Sequence, residues 1–117
     1  MKTELPESSY RELLLWLLRK RRRFKVVGLS MVPLLQPGEQ ILVDPQAYLN
    51  TLPEIKDLVV AIHPYRSDLQ IIKRVALVQE DGSCFLKGDN PKESTDSRSF
   101  GFISGEQILG KVTSRLP

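Results

Sequence analysis

The chain has 117 residues, enough for one small domain, and its 41% hydrophobic and 26% charged composition is that of a globular protein rather than a disordered tail. A single cysteine, Cys84, excludes an intrachain disulfide and suits a reducing, cytoplasmic setting; with the single histidine, His63, it falls short of the four ligands of a structural zinc site, so no metal and no other cofactor is expected. The net charge of +3 is unevenly spread, because residues 1–25 carry +5 and the remainder −2, so the basic character belongs to the N-terminal segment alone.

Ser9-x-x-Glu12 has the form of a capping box ahead of an apolar run and predicts a helix from there to about Arg22. Leu13, Leu14, Trp16, Leu17 and Leu18 form its apolar side, and the "RKRRR" that follows suits a helix C-terminus. Residues 1–23 are read as a basic amphipathic helix and 24–117 as the domain behind it. The run "LLLWLL" (13–18) is far short of the ~20 residues of a membrane span, and its charges follow it, where a secretory signal would carry them in front. Leu and Trp followed by Lys and Arg suit a helix lying on anionic lipid, giving a membrane-peripheral protein, and equally a helix packed on the rest of the domain or on a partner chain. A nucleic-acid partner is not expected: basic runs bind phosphate, but aromatics are few and the body is net acidic.

Beyond this helix the period changes. The runs "FKVVG" (24–28), "QILVD" (40–44), "LVVAIH" (58–63), "LQIIKRVALVQ" (69–79), "SCFLKG" (83–88) and "ILGKVTS" (108–114) are short and rich in β-branched residues. Turn residues separate them at Gln36-Pro37-Gly38, Asp81-Gly82 and Asp89-Asn90-Pro91, and Asp81-Gly82 is a hairpin signal. The expectation is a mainly antiparallel β domain behind one helix.

Three segments carry chemistry. In "GLSMVP" Ser30 sits between Gly28, which permits positive φ, and Pro33, which stiffens the chain; taken alone it fits a turn or N-cap serine better than a nucleophile. In the long strand, alternation places Leu69, Ile71, Lys73, Val75 and Leu77 on one face. An amine among four aliphatics is disfavoured in its charged form and so becomes a competent general base, although an isolated strand lysine more often snorkels to water. The segment "GDNPKESTDSRSFG" (88–101) is a structured loop in which Asp96 and Arg98 are spaced to pair. His63, at a strand end before Pro64, is read as structural.

Together these segments resemble the boxes of the signal-peptidase family of serine proteases. "GLSMVPLLQPGEQILVD" is similar to the box with the nucleophile, "DLQIIKRV" to the box with the lysine, and "GDNPKESTDSRSFGFI" to the third, all in order. The resemblance implies a signal-peptidase-like antiparallel sheet or barrel with a Ser-Lys dyad, Ser30 as nucleophile and Lys73 as base. It further implies that Ser94 orients the lysine, that Asp96 and Arg98 brace the loop, and that Met31 belongs to the nucleophile box. The Ser30 N–H is the implied oxyanion donor; where some relatives add a serine hydroxyl two residues earlier, this chain has Gly28. The compact form, with "LLLWLLRKRRRFKVVG", "HPYRSDLQIIKRV" and "CFLKGDNPKESTDSRSFG", is closely similar to the nickel-type superoxide dismutase maturation proteases. That implies a protein substrate, the N-terminal extension of the dismutase precursor, whose removal exposes a nickel-binding histidine; the nickel is the substrate's. The rival expectation is a membrane-peripheral protease of exported precursors.

Overall fold

A computed structural model describes residues 5–117. Helix α1 (Tyr10–Leu17) begins as the capping pattern predicts, with the Glu12 N–H donated to Ser9 Oγ at 3.2 Å. It ends about five residues before the predicted Arg22. Lys20 N–H bonds to Leu15 O and Arg19 N–H to Trp16 O, with Arg19 at φ 66°, so the helix closes in a Schellman motif whose left-handed residue is an arginine. Glycine is the usual sequence signal for that turn, and here it is absent. The basic run therefore leaves the helix, and Arg22–Lys25 form β1, paired antiparallel with β2 (Gln40–Asp44). Residues 1–4 of the segment read as helical lie outside the described residues.

The other strands are β3 (Leu58–His63), β4 (Arg66–Val78), β5 (Cys84–Lys87) and β6 (Ile108–Arg115). They form one six-stranded antiparallel sheet in the order β1-β2-β6-β3-β4-β5, preceded by the single N-terminal helix, so the fold is mainly β as expected. Among the described residues the only other α-helical element is one short turn, α2 (Ser97–Phe100). β3 is buried on both faces over Leu58–Ala61, which is why "LVVAIH" reads as a continuous apolar run. Val60 packs with Val26, Met31, Leu35, Ile41, Val43 and Val112, whereas Val59 and Ala61 pack on the other face with Val75, Leu86 and Ile103.

Strand β4 departs from simple alternation at one point. Val75 pairs with Leu86 but Leu77 with Phe85, so Ala76 is an extra residue and the facing of the strand flips there. Leu77, expected beside Lys73 and Val75, is 54% exposed, and Val78 packs on the core instead. The changeover also divides β4 along its length. Arg74 pairs with β3 on one side and β5 on the other, and the residues after it pair with β5, whereas residues 66–73 pair only with β3 and keep a free edge. "FKVVG" is strand only to Lys25; Val26 continues as a turn-anchored extension, exchanging backbone hydrogen bonds with Gly38 and Glu39.

Candidate active site

The free edge of β4 and the segment running from β1 to Ser30 line opposite sides of one cavity of about 540 Å³. Gly28 has φ 82°, and a Cβ there would meet nothing within 4 Å, so glycine is required by the turn and not by crowding. After Ser30 the chain makes a tight turn, closed by Leu35 N–H to Met31 O at 2.9 Å. Met31 anchors that turn: its side chain is buried in the core and its sulfur accepts the Asp89 N–H at 3.4 Å.

The loop after β5 holds the Ser30 backbone from below. Asn90 donates its backbone N–H to Ser30 O at 2.8 Å and its amide to Leu29 O at 3.0 Å. Gly88 lies so close that an added Cβ would stand 2.2 Å from Ser94 Oγ and 2.8 Å from Ser30 O, so no other residue fits. The Ser30 N–H has no acceptor among the described residues.

Lys73 enters from β4, opposite Val59, and is 4% exposed. Its Nζ donates to Ser94 Oγ at 3.1 Å, and that hydroxyl donates to Asp96 Oδ2 at 2.7 Å. Asp96 also accepts from the Gly88 N–H at 2.9 Å and from the Arg98 N–H and Nε at 3.1 and 2.9 Å, and pairs with the Arg98 guanidinium. The result is a continuous line Lys73–Ser94–Asp96–Arg98. Burial alone would raise the Asp96 carboxyl, but its donors, Arg98 foremost, overcome this and hold it well below the usual carboxylate range. Burial pushes the Lys73 amine below the ordinary lysine range; Asp96 draws it back up and Arg98 opposes Asp96. The amine is thereby poised towards its neutral form. Ser30 Oγ and Lys73 Nζ face the same cavity without a hydrogen bond between them, the amine being held by Ser94.

The sequence reasoning passed over Arg74 and Asp89, although both stand inside the quoted boxes. The Arg74 guanidinium grips Asp89 with two bonds of 2.9 and 2.8 Å and reaches Lys56 O at 3.1 Å. This fork ties the lysine-bearing strand to the loop under Ser30. His63 lines the end of the cavity; its ring stacks edge-on against Phe100, 5.1 Å between centroids, and its Nδ1 accepts the Tyr65 N–H at 3.1 Å. No group of three or more His, Cys, Asp or Glu side chains among the described residues is placed to hold a metal ion.

Comparison with known proteins supplies a family. The family model for "Signal peptidase, peptidase S26" matches residues 13–81 and 76–116, nearly the whole chain. No curated protein matches the chain.

Proposed function

The chain belongs to the signal peptidase family of serine peptidases, and we propose that it hydrolyses peptide bonds with a Ser30–Lys73 dyad. The observation that carries this reading is the buried Lys73 amine, depressed towards neutrality and held by Ser94 at the wall of the cavity that Ser30 also lines. Neutral Lys73 takes the Ser30 proton as Oγ attacks the scissile carbonyl, and the oxyanion forms against the Ser30 N–H. The ammonium then protonates the leaving amine. Lys73, neutral again, activates water to release the acyl group and regenerate Ser30. The substrate lies extended along the free edge of β4, residues 66–73, adding a strand across the cavity from residues 26–29.

The favoured substrate is the N-terminal extension of a nickel superoxide dismutase precursor. The likeness of the helix-to-"VVG" segment, the "HPYRSDLQIIKRV" segment and the "GDN" loop to the maturation proteases supports this choice. Incubating the chain with that precursor and reading the new N-terminus by mass spectrometry tests it. Wild type is expected to free an N-terminal histidine, and Ser30→Ala and Lys73→Ala to leave the precursor intact. Cleavage by Ser30→Ala would refute the dyad. Loss of cleavage in a folded His63→Ala would point to a histidine base. An active enzyme that spares this precursor but cuts other peptides would remove the substrate assignment alone.

A further inference from the structure

Helix α1 lies outside the active-site chemistry, and it is mounted with Glu12 turned inward. At about 100° per residue, Tyr10, Leu14 and Leu17 fall on one side and Glu12 on the opposite side. Glu12 is the anchor: its carboxylate accepts from Thr113 Oγ1 at 2.5 Å, Ser114 Oγ at 3.0 Å and Arg21 Nε at 3.1 Å. Residues just before the helix are strapped to the same strand, with Ser8 N–H bonded to Arg115 O and Arg115 N–H to Pro6 O. The apolar stripe therefore points away from the body, and Tyr10, Leu14 and Leu17 are 93%, 53% and 78% exposed. Leu18, just past the helix, is exposed as well.

The surroundings of this stripe are cationic. Arg11, Arg19, Lys20, Arg22 and Arg23 are all exposed, whereas Arg21 is neutralised by Glu12 and Asp44. Glu7 is the one exposed acid among the described residues up to Lys25. An apolar ridge bordered by basic side chains matches a surface that is apolar below and anionic above.

We propose that this face docks the protein peripherally on an anionic lipid surface, the stripe entering the acyl boundary and the basic turn meeting the headgroups. No helix of the described chain is long and apolar enough to cross a membrane, so the contact is with one leaflet. A second copy of the chain fits poorly. A parallel two-fold contact through α1 would bring the basic turns of both copies together, and in either orientation a stripe on an eight-residue helix, about 12 Å long, covers far less than the ~1,000 Å² of a stable interface. The proposal stands independently of the peptidase reading.

Vesicle sedimentation of the full chain tests it. Phosphatidylcholine vesicles are compared with vesicles in which a third of the lipid is phosphatidylglycerol, at low and high salt. The chain is expected to sediment with the anionic vesicles only, and salt is expected to release it. Leu14→Ser/Leu17→Ser and Lys20→Glu/Arg22→Glu are each expected to lower the partition coefficient by about tenfold or more. All four side chains are exposed, so unchanged circular dichroism keeps the comparison valid. Equal binding to both vesicles, no binding, or variants that bind like wild type would overturn the proposal. So would a dimer in light scattering that Leu14→Ser/Leu17→Ser dissolves while wild type ignores vesicles.

Discussion

Ser94→Ala removes one oxygen at the centre of the Lys73–Ser94–Asp96–Arg98 line. That oxygen accepts from Lys73 Nζ at 3.1 Å and donates to Asp96 Oδ2 at 2.7 Å. Asp96 keeps its bonds from Gly88 and Arg98, so the loop is expected to hold, at a stability cost of about 1 kcal/mol for the lost neutral partner. The effect on catalysis is larger, because the amine carries a proton only after attack on the substrate. A hydrogen bond to a charged donor contributes about 1.5–3 kcal/mol. If it is lost mainly from the transition state, kcat/KM falls by about ten- to a hundredfold. The assay is cleavage of a peptide spanning the precursor's processing site, measured from neutral to alkaline pH. With Lys73 as the proposed base, activity requires it neutral, so kcat/KM is expected to rise with pH through the lysine's pKa. Removing an acceptor disfavours the ammonium, and the rising limb must move to lower pH. A folded Ser94→Ala with wild-type kcat/KM, or with a limb displaced to higher pH, would refute the assignment of Ser94 as the orienting partner.

Gly88→Ala must displace Ser94 or the Ser30 carbonyl, both well inside contact distance of the new methyl, and is expected to lower both thermal stability and activity, read by melting and by the same peptide assay. Asp96 has a depressed pKa, so its contribution to stability is complete above about pH 4, the unfolded value, and fades as pH falls below it. Urea midpoints for wild type should accordingly drop on acidification, and those of Asp96→Asn should start lower and drop less. Leu77→Ser should shift the urea midpoint little, by about 0.5 kcal/mol or less, whereas Leu86→Ala on the paired strand should cost about 2–5 kcal/mol. Equal costs at the two positions would contradict the bulge at Ala76. Arg74→Ala, which leaves the Asp89 carboxylate without its fork, should destabilise by about 1–3 kcal/mol and depress kcat more than it raises KM.

Local chemistry was easier to read from the residues than geometry was. Strands β2 and β3 have the predicted bounds because their apolar runs end abruptly at charged or turn residues. Lys73 was legible as a buried amine because the residues on either side of it, Ile71 and Val75, do face the core. Leu77 was misplaced because a one-residue bulge leaves no mark in an alternating pattern; Ala76 is simply an extra residue with no partner on β5. The end of α1 was overrun because its left-handed residue is Arg19 and not glycine, so the turn is enforced by the β1–β2 pairing that follows, a long-range cause. Glu12 looked like half of a capping box, yet its carboxylate is drawn to β6, a hundred residues on, by Thr113 and Ser114. Arg74 and Asp89 were invisible as a pair for the same reason, since each alone is an ordinary surface charge.

The point where β4 changes character links the fold to the proposed chemistry. Lys73 is the last residue whose strand edge is free, and Arg74 the first that β5 covers. Under the proposed mechanism a peptide added along residues 66–73 would stop extending where the amine is, and the end of the available edge would bring its reacting bond to the base. The Arg74–Asp89 fork sits at that boundary, and the adjoining Asn90 and Gly88 contact the Ser30 backbone. The same junction thus holds the lysine and the serine backbone, and in the proposed mechanism it would limit the substrate strand. A histidine base would need no such burial, being near neutrality already at physiological pH; a lysine base does, and the packing of Lys73 opposite Val59 and against Ser94 supplies it.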